Sequence, residues 1–202
     1  MPGIDLVLAV LAGYLIGAVP SGVLIGRLRG VDPRESGSGR TGTTNALRSL
    51  GPRWAAVVAV IDVVKGIAAV LVGNLIIGPA PWAGALAAVA AVVGHVRSIF
   101  IGFTGGRGAA TGAGAMLVLA PIAILVAMPE FLLIVWRTRL VSLGSVMAAV
   151  TVALVGAALY SVGWAGLEVV VAGALIGLVV VLAHTDNIQR LLAGTERRIG
   201  SG

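Results

Sequence analysis

The 202-residue chain contains no cysteine. Disulfides, thiolate-held zinc and a cysteine nucleophile are thereby excluded. Charge is scarce too: acidic and basic residues make up 11% of the chain, against about 25% in a typical soluble domain. Aromatic residues are 4%, and the two histidines, His95 and His184, lie far apart and outside any HExxH pattern, so no metal site is expected. A cleavable leader is also not expected. The first apolar run has no basic stretch before it, carries Asp5 near its start, and is followed by Arg27 and Arg29, which reads as a retained first span.

Apolar residues, by contrast, reach 58%, with a mean hydropathy of +1.07. Long runs nearly free of charge cover 4–26, 54–77, 82–101, 141–161 and 165–184. Each is close to the ~20 residues needed to cross a ~30 Å hydrocarbon core. Where no water reaches the backbone, only a helix satisfies its own peptide groups at this length. The expectation is an all-α, polytopic membrane protein in which 1–202 forms one domain. The stretch 109–136 reads either as one long span or as two short helices turning near Pro121 or Pro129.

Charge placement favours two. The total is then about seven transmembrane helices, and the N-terminus, the 78–81 turn, the middle of 109–136 and the 161–164 turn lie outside without a single Lys or Arg. Every arginine, from Arg27 and Arg29 to Arg197 and Arg198, falls at or near the cytoplasmic face. The positive-inside rule thus predicts an outside N-terminus and a cytoplasmic C-terminus. The net charge of +6 is assigned to meeting membrane lipid and anionic substrate, with no nucleic acid expected as a partner.

Three polar segments, 28–53, 95–111 and 184–202, then converge on one face. The first contains Ser36-Gly37-Ser38-Gly39-Arg40-Thr41-Gly42-Thr43-Thr44-Asn45-Ala46-Leu47-Arg48. Glycines let backbone N–H groups converge on an anion, and hydroxyls with arginine complete a phosphate cradle. A plain Gly/Ser linker is the alternative, but it has no need of Asn45 and Arg48 on one helix face leading into a span. No Gly-Lys-Ser/Thr follows, so this is not a Walker A loop. The second segment places Gly105-Gly106-Arg107-Gly108 at the opening of a helix, an anion site by the same logic or simply a tight turn. The third runs His184-Thr185-Asp186-Asn187 through Arg190 to Gly194-Thr195-Glu196, an order that an ordinary tail does not explain. Inside the second span, Asp62 and Lys65 lie three apart on one helical face, where mutual neutralisation is the simplest reading.

Taken together, these residues resemble the bacterial acyl-phosphate:glycerol-3-phosphate acyltransferases, the PlsY family. The likeness begins at Gly17-Ala18-Val19-Pro20-Ser21-Gly22 and continues through the 37–48 string, Asp62-x-x-Lys65-Gly66, Gly94-His95, the 105–111 string and the 187–196 string. It implies a seven-span fold that transfers an acyl group from acyl phosphate to the 1-hydroxyl of glycerol 3-phosphate, giving lysophosphatidate and inorganic phosphate. It further implies acceptor-phosphate binding by Ser38 and Arg48, with Gly39 and Asn45 in the same loop. A phosphate group falls to Gly105, Gly106, Arg107 and Gly108, and the orienting of the reacting groups to His184 and Asn187. Asp62, Lys65, His95 and Glu196 would support the site. An acyl phosphate is already activated, so no cofactor is expected. His184 can serve as base, and a substrate phosphate oxygen taking the proton is equally compatible. The sequence departs from the family pattern in four respects. Arg40 replaces an asparagine, Arg97-Ser98 stands where Phe-Pro is common, and Thr104 and Arg107 occupy the places of two lysines. Arg107 keeps its charge, and Arg40 is expected to make good the one lost at Thr104. The rival classes are a related membrane acyltransferase using another acceptor or a thioester donor, and a small transporter, which would show more polar residues along its spans and repeated halves.

Overall fold

The computed structural model describes residues 2–77 and 81–200, so positions 78–80 of the expected outer turn, and residues 201–202, lie outside the described residues. Among the described residues the regular structure is helical throughout, with ten α-helices and two short 3-10 turns. The helices are α1 (Pro2–Ala18), α2 (Ser21–Leu28), α3 (Thr43–Leu50), α4 (Pro52–Ile77), α5 (Pro81–Val96), α6 (Ala109–Leu119), α7 (Pro121–Thr138), α8 (Val141–Ser161), α9 (Leu167–Ala183) and α10 (Thr185–Leu192).

The breaks follow from local chemistry. Pro20, which has no N–H and clashes with a preceding helical turn, separates α1 from α2, although Gly3–Leu28 still forms one apolar unit of 26 residues. The 109–136 stretch is two helices. Ala120 leaves helical geometry and Pro121 opens α7, where its missing N–H costs nothing. Pro129 lies inside α7 and does not end it. At His184 the chain bends by 62° between α9 and α10.

Five helical units are long and apolar enough to cross a membrane, and the bent α9–α10 pair makes up to six. At eleven residues, α6 is roughly 16 Å long, shorter than the hydrocarbon core. The helices meet through small residues, as expected where lipid supplies no hydrophobic drive and close backbone approach must hold helices together. Gly13 and Gly17 of α1 lie against Ala87 and Ala91 of α5. Gly66 of α4 faces the Thr111 carbonyl of α6, and Gly114 of α6 returns the contact at Val63. Val70, Val92, Met116, Ile176 and Val180 fill the core where α4, α5, α6 and α9 converge. Leu125, Leu132, Leu133 and Trp136 of α7 and Leu154 of α8 remain exposed, an apolar belt suited to lipid. The α6 N-terminus, the start of α8 and the α9–α10 bend all come to the end of the bundle that carries α3.

Candidate active site

The first motif is a loop held from within. Gly37 and Gly39 adopt left-handed φ values of +62° and +67°, which let the chain turn tightly around the buried side chain of Asn45. Its Oδ1 accepts the Ser38 N–H at 2.8 Å, and its Nδ2 donates to the carbonyls of Pro33, Ser36 and Arg40. Asn45 therefore spends its hydrogen bonds on shaping the loop. Ser38 Oγ and Thr43 Oγ1 are left buried with no partner.

The second motif rests on a buried polar cluster. The Lys65 ammonium has three N–H groups and meets three acceptors: Val19 O at 2.8 Å, Asp62 Oδ1 at 2.8 Å and His95 Nδ1 at 3.2 Å. Ser21 Oγ also donates to Asp62. The mutual neutralisation expected of Asp62 and Lys65 is thus present geometrically, and it extends to His95. An ammonium can only donate, so His95 Nδ1 accepts and the ring proton sits on Nε2. That nitrogen faces Gly106 so closely that a Cβ there would collide with it. The Gly106 N–H donates to the His95 carbonyl at 3.2 Å, so His95 props the glycine loop from both its ring and its backbone. Gly108, at φ +81°, caps α6.

The third motif is a chain of charge-assisted bonds. Arg107 donates to Asp186 at 2.8 Å, and Arg190 bridges Asp186 and Glu196. Glu196 Oε1 accepts from Asn187 Nδ2 at 2.6 Å and from Ser142 Oγ at 2.9 Å. Burial works against the ionised Glu196, but the bonds from Asn187, Arg190 and Ser142 outweigh it and hold the carboxyl below its ordinary range. This fixes Asn187 with its Oδ1 buried and unpartnered. His184 Nδ1 lies 2.7 Å from the Val180 carbonyl. A carbonyl only accepts, so Nδ1 carries the proton and Nε2 keeps its lone pair.

These segments surround one cavity of about 370 Å³. At its mouth stand Ser38, Thr43, Arg48, Arg107, His184 and Asn187, with Arg40, Arg190 and Arg197 beside them. Burial, reinforced by Arg197, holds the Arg48 guanidinium below its ordinary pKa. Burial does the same at Arg107, where Asp186 pulls the other way. Both arginines remain cationic at neutral pH. So many cations in one place stabilise an anion placed among them. Behind the mouth the lining turns apolar through Met116, Ile124, Phe131, Val152 and Ile176.

Several expected residues stand apart from this lining. Gly39, Gly105, Gly106 and Lys65 shape or underlie the loops without lining the cavity, whereas Asp62 and His95 reach its wall. Thr104 is exposed and its hydroxyl is bonded to Ile101 O at 2.7 Å, while Arg40 lines the cavity. Sequence reasoning included Thr43 in the first loop without singling it out, and it missed Ser142 and the clamp of Asp186 on Arg107. Asp186 carried a signal, since it sits between His184 and Asn187. Ser142, an isolated hydroxyl at the start of an apolar span, carried none. Among the described residues, no three His, Cys, Asp or Glu side chains are grouped to hold a metal ion.

Fold and cavity together define a polytopic membrane protein whose cavity is rich in arginine at its mouth and apolar behind it. The family model described as glycerol-3-phosphate acyltransferase matches residues 7–194, and the chain belongs to that family. It is 43% identical over 193 residues to glycerol-3-phosphate acyltransferase 1 of Deinococcus radiodurans, covering 96% of this chain and 95% of the relative. The glycerol-3-phosphate acyltransferase of Rubrobacter xylanophilus is 41% identical over 194 residues, covering 96% and 95%. Among solved structures, PlsY (YgiH), described as an integral membrane glycerol 3-phosphate acyltransferase, superposes in its glycerol 3-phosphate form with a TM-score of 0.88 at 34% identity. The match covers 97% of this chain and 96% of that one. Its lysophosphatidic acid form gives a TM-score of 0.86 at 33% identity. The membership expected from the sequence motifs is therefore established.

Proposed function

We propose that the whole chain, 1–202, is a single acyltransferase domain that moves an acyl group from acyl phosphate to the 1-hydroxyl of glycerol 3-phosphate. The products are lysophosphatidate and inorganic phosphate. The observation that carries this reading is that four of the five buried, unpartnered side-chain polar atoms among the described residues, Ser38 Oγ, Thr43 Oγ1, Arg107 Nε and Asn187 Oδ1 but not Glu130 Oε2, belong to residues lining one cavity with an apolar far end. Buried polar groups without partners are costly, and a phosphorylated, hydroxylated acceptor supplies what these atoms lack.

In the proposed reaction Ser38 and Arg48 hold the acceptor phosphate. Arg107 and the 105–108 backbone hold the donor phosphate, and the acyl chain occupies the apolar end. The 1-hydroxyl oxygen attacks the acyl carbon, the carbon–oxygen bond to phosphate breaks, and inorganic phosphate leaves with the bonding electrons. Proximity and stabilisation of the developing phosphate charge supply the rate. The hydroxyl proton goes either to His184 Nε2, whose lone pair is kept free by the Val180 contact, or to a phosphate oxygen of the substrate. Asn187, clamped by Glu196, orients the acceptor.

The reading places the protein in the bacterial inner membrane as seven spans, with α6 and α7 counted separately, the N-terminus outside and the motif loops cytoplasmic. The confinement of every arginine to one side under that topology supports it. Purified protein in lipid, given acyl phosphate and glycerol 3-phosphate, should release lysophosphatidate and phosphate in equal amounts. A parallel sample with acyl-CoA should not. Turnover with acyl-CoA alone would reject the donor assignment.

A further inference from the structure

Most of the glycines at helix crossings here are required by packing: a Cβ on Gly13, Gly17, Gly66, Gly94 or Gly114 would run into backbone of the facing helix. Gly173, in the middle of α9, is different. A Cβ built there meets Met116 Cε at 3.5 Å, Ala153 Cα at 3.6 Å and Val152 O at 3.9 Å, all ordinary contact distances. Packing does not demand a glycine at this position, yet Gly173 lines the cavity, so the space that a side chain would fill is left open to it.

Gly173 also lies at the deep end. On α6, α8 and α9 the lining residues farthest from the motif loops are Met116, Val152 and Gly173, and all three are buried. At about 1.5 Å per residue, Gly173 is roughly 16 Å below His184. By the same rise Val152 is roughly 15 Å below Ser142, and Met116 roughly 12 Å below Gly108. Three separate helices thus bring their last lining residue to a similar depth, which marks a floor. From these observations we infer that Gly173, with Met116 and Val152 beside it, is the specificity-determining floor that sets the length of acyl chain accepted.

This inference rests on the acyl-transfer reading above. An extended chain whose carbonyl carbon is held near His184 ends against this floor. A shorter chain leaves apolar volume empty, and a longer one must fold back or displace Met116. A single methylene in a closed apolar pocket discriminates by about tenfold or more.

The test measures kcat/KM of the full chain in lipid with lauroyl, myristoyl and palmitoyl phosphate at saturating glycerol 3-phosphate. Gly173→Leu should raise the lauroyl-to-palmitoyl ratio by about tenfold or more. The KM for glycerol 3-phosphate should stay unchanged, because its proposed site is at the mouth. Gly173→Ala, whose added Cβ finds ordinary contacts, should shift the ratio the same way by a smaller factor. Met116→Ala, which lowers the floor, should shift it toward palmitoyl. If Gly173→Leu does not fold, the other two variants decide. Unchanged donor profiles in folded Gly173→Ala and Met116→Ala would overturn the floor while leaving acyl transfer intact. A wild-type protein inactive on every acyl phosphate would instead reject the acyl-transfer reading itself.

Discussion

Arg107 and Asp186, from different motifs 79 residues apart, are joined by a 2.8 Å bond between guanidinium and carboxylate. The bond fixes Arg107 and partly offsets its charge, while Nε stays buried and unpartnered; under the proposed reaction a substrate oxygen meets it there. A charge-assisted contact of this kind contributes about 1.5–3 kcal/mol. Arg107→Ala should therefore lower kcat/KM roughly 10- to 150-fold by that estimate, whereas Arg107→Lys, which keeps the cation, should retain much of the activity. Asp186→Asn should act through Arg107. In a double-mutant cycle the two losses should be non-additive by about 0.5–3 kcal/mol. Additive losses would show that the pairing has no bearing on turnover.

Arg40 and Thr104 offer a second test, because the structure separates them sharply. Thr104 is exposed and engaged by Ile101 O, while Arg40 lines the cavity and lies close enough to Arg107 to influence its charge. If Arg40 replaces the cation that the family resemblance implies at the Thr104 position, Arg40→Asn alone should lose roughly tenfold or more in kcat/KM, the lower bound for a charged contact. Adding Thr104→Lys should restore much of it. A double variant no better than Arg40→Asn would end the compensation idea without touching the assignment of the reaction.

What could be read from the sequence followed physical scale. Membrane spans announce themselves through long runs of apolar residues, so α4, α5, α8 and α9 fall within a few residues of the expected segments. The interruption at Pro121 was one of two expected positions, and proline's missing N–H explains why it serves as a helix start there. The same residue type at Pro129 is tolerated inside α7, which composition alone does not distinguish. Within the candidate site, glycine and arginine strings pointed to loops that contribute residues to the cavity, because anion binding needs those groups close together in sequence. Pairings across motifs left no such trace. Nothing in the sequence says that Ser142 meets Glu196, that His95 props Gly106, or that Asn45 turns inward to hold its loop. Each depends on helix packing that brings distant residues to one point.

Glu196 should give the site an acid limit. Its carboxyl is held below its ordinary range in the folded protein, where burial is outweighed by hydrogen bonds from Asn187, Arg190 and Ser142. A depressed carboxyl pKa contributes stability that is present above the unfolded-state value and is lost as pH falls through the folded-state value. Acidification below the ordinary carboxylate range should therefore loosen Asn187 and lower turnover before the helices unfold. Glu196→Gln should show low activity that is flat across this range, because the titrating group is gone. Asn187→Ala should lower turnover by about 10²-fold, the usual scale for such groups, while the protein remains folded. An unaltered acid limb in Glu196→Gln, measured from pH–rate profiles in lipid, would place the limiting group elsewhere.

Topology can be tested cleanly because the chain has no cysteine of its own. Single cysteines at Ser38, Gly78, Ser161 and Ser201 sample both proposed sides. Ser38 belongs to the first motif loop and Ser161 to the α8 end opposite Ser142. These two must face opposite sides if α8 spans the bilayer with its N-terminus at the motif face. With seven spans, an impermeant thiol reagent added to intact cells should label positions 78 and 161 and spare 38 and 201. Counting 109–136 as a single span would send the C-terminal part of the chain to the other side, exchanging the behaviour of positions 161 and 201. The site disfavours that arrangement. Ser142 and Asn187 both donate hydrogen bonds to Glu196, and Arg107 reaches Asp186, so the starts of α6 and α8 and the end of α9 must share a side. That requires an even number of crossings between Arg107 and Ser142, which the proposed seven-span reading meets by having α6 and α7 each cross once. Labelling of position 201 from outside would overturn both the seven-span count and the cytoplasmic placement of the site.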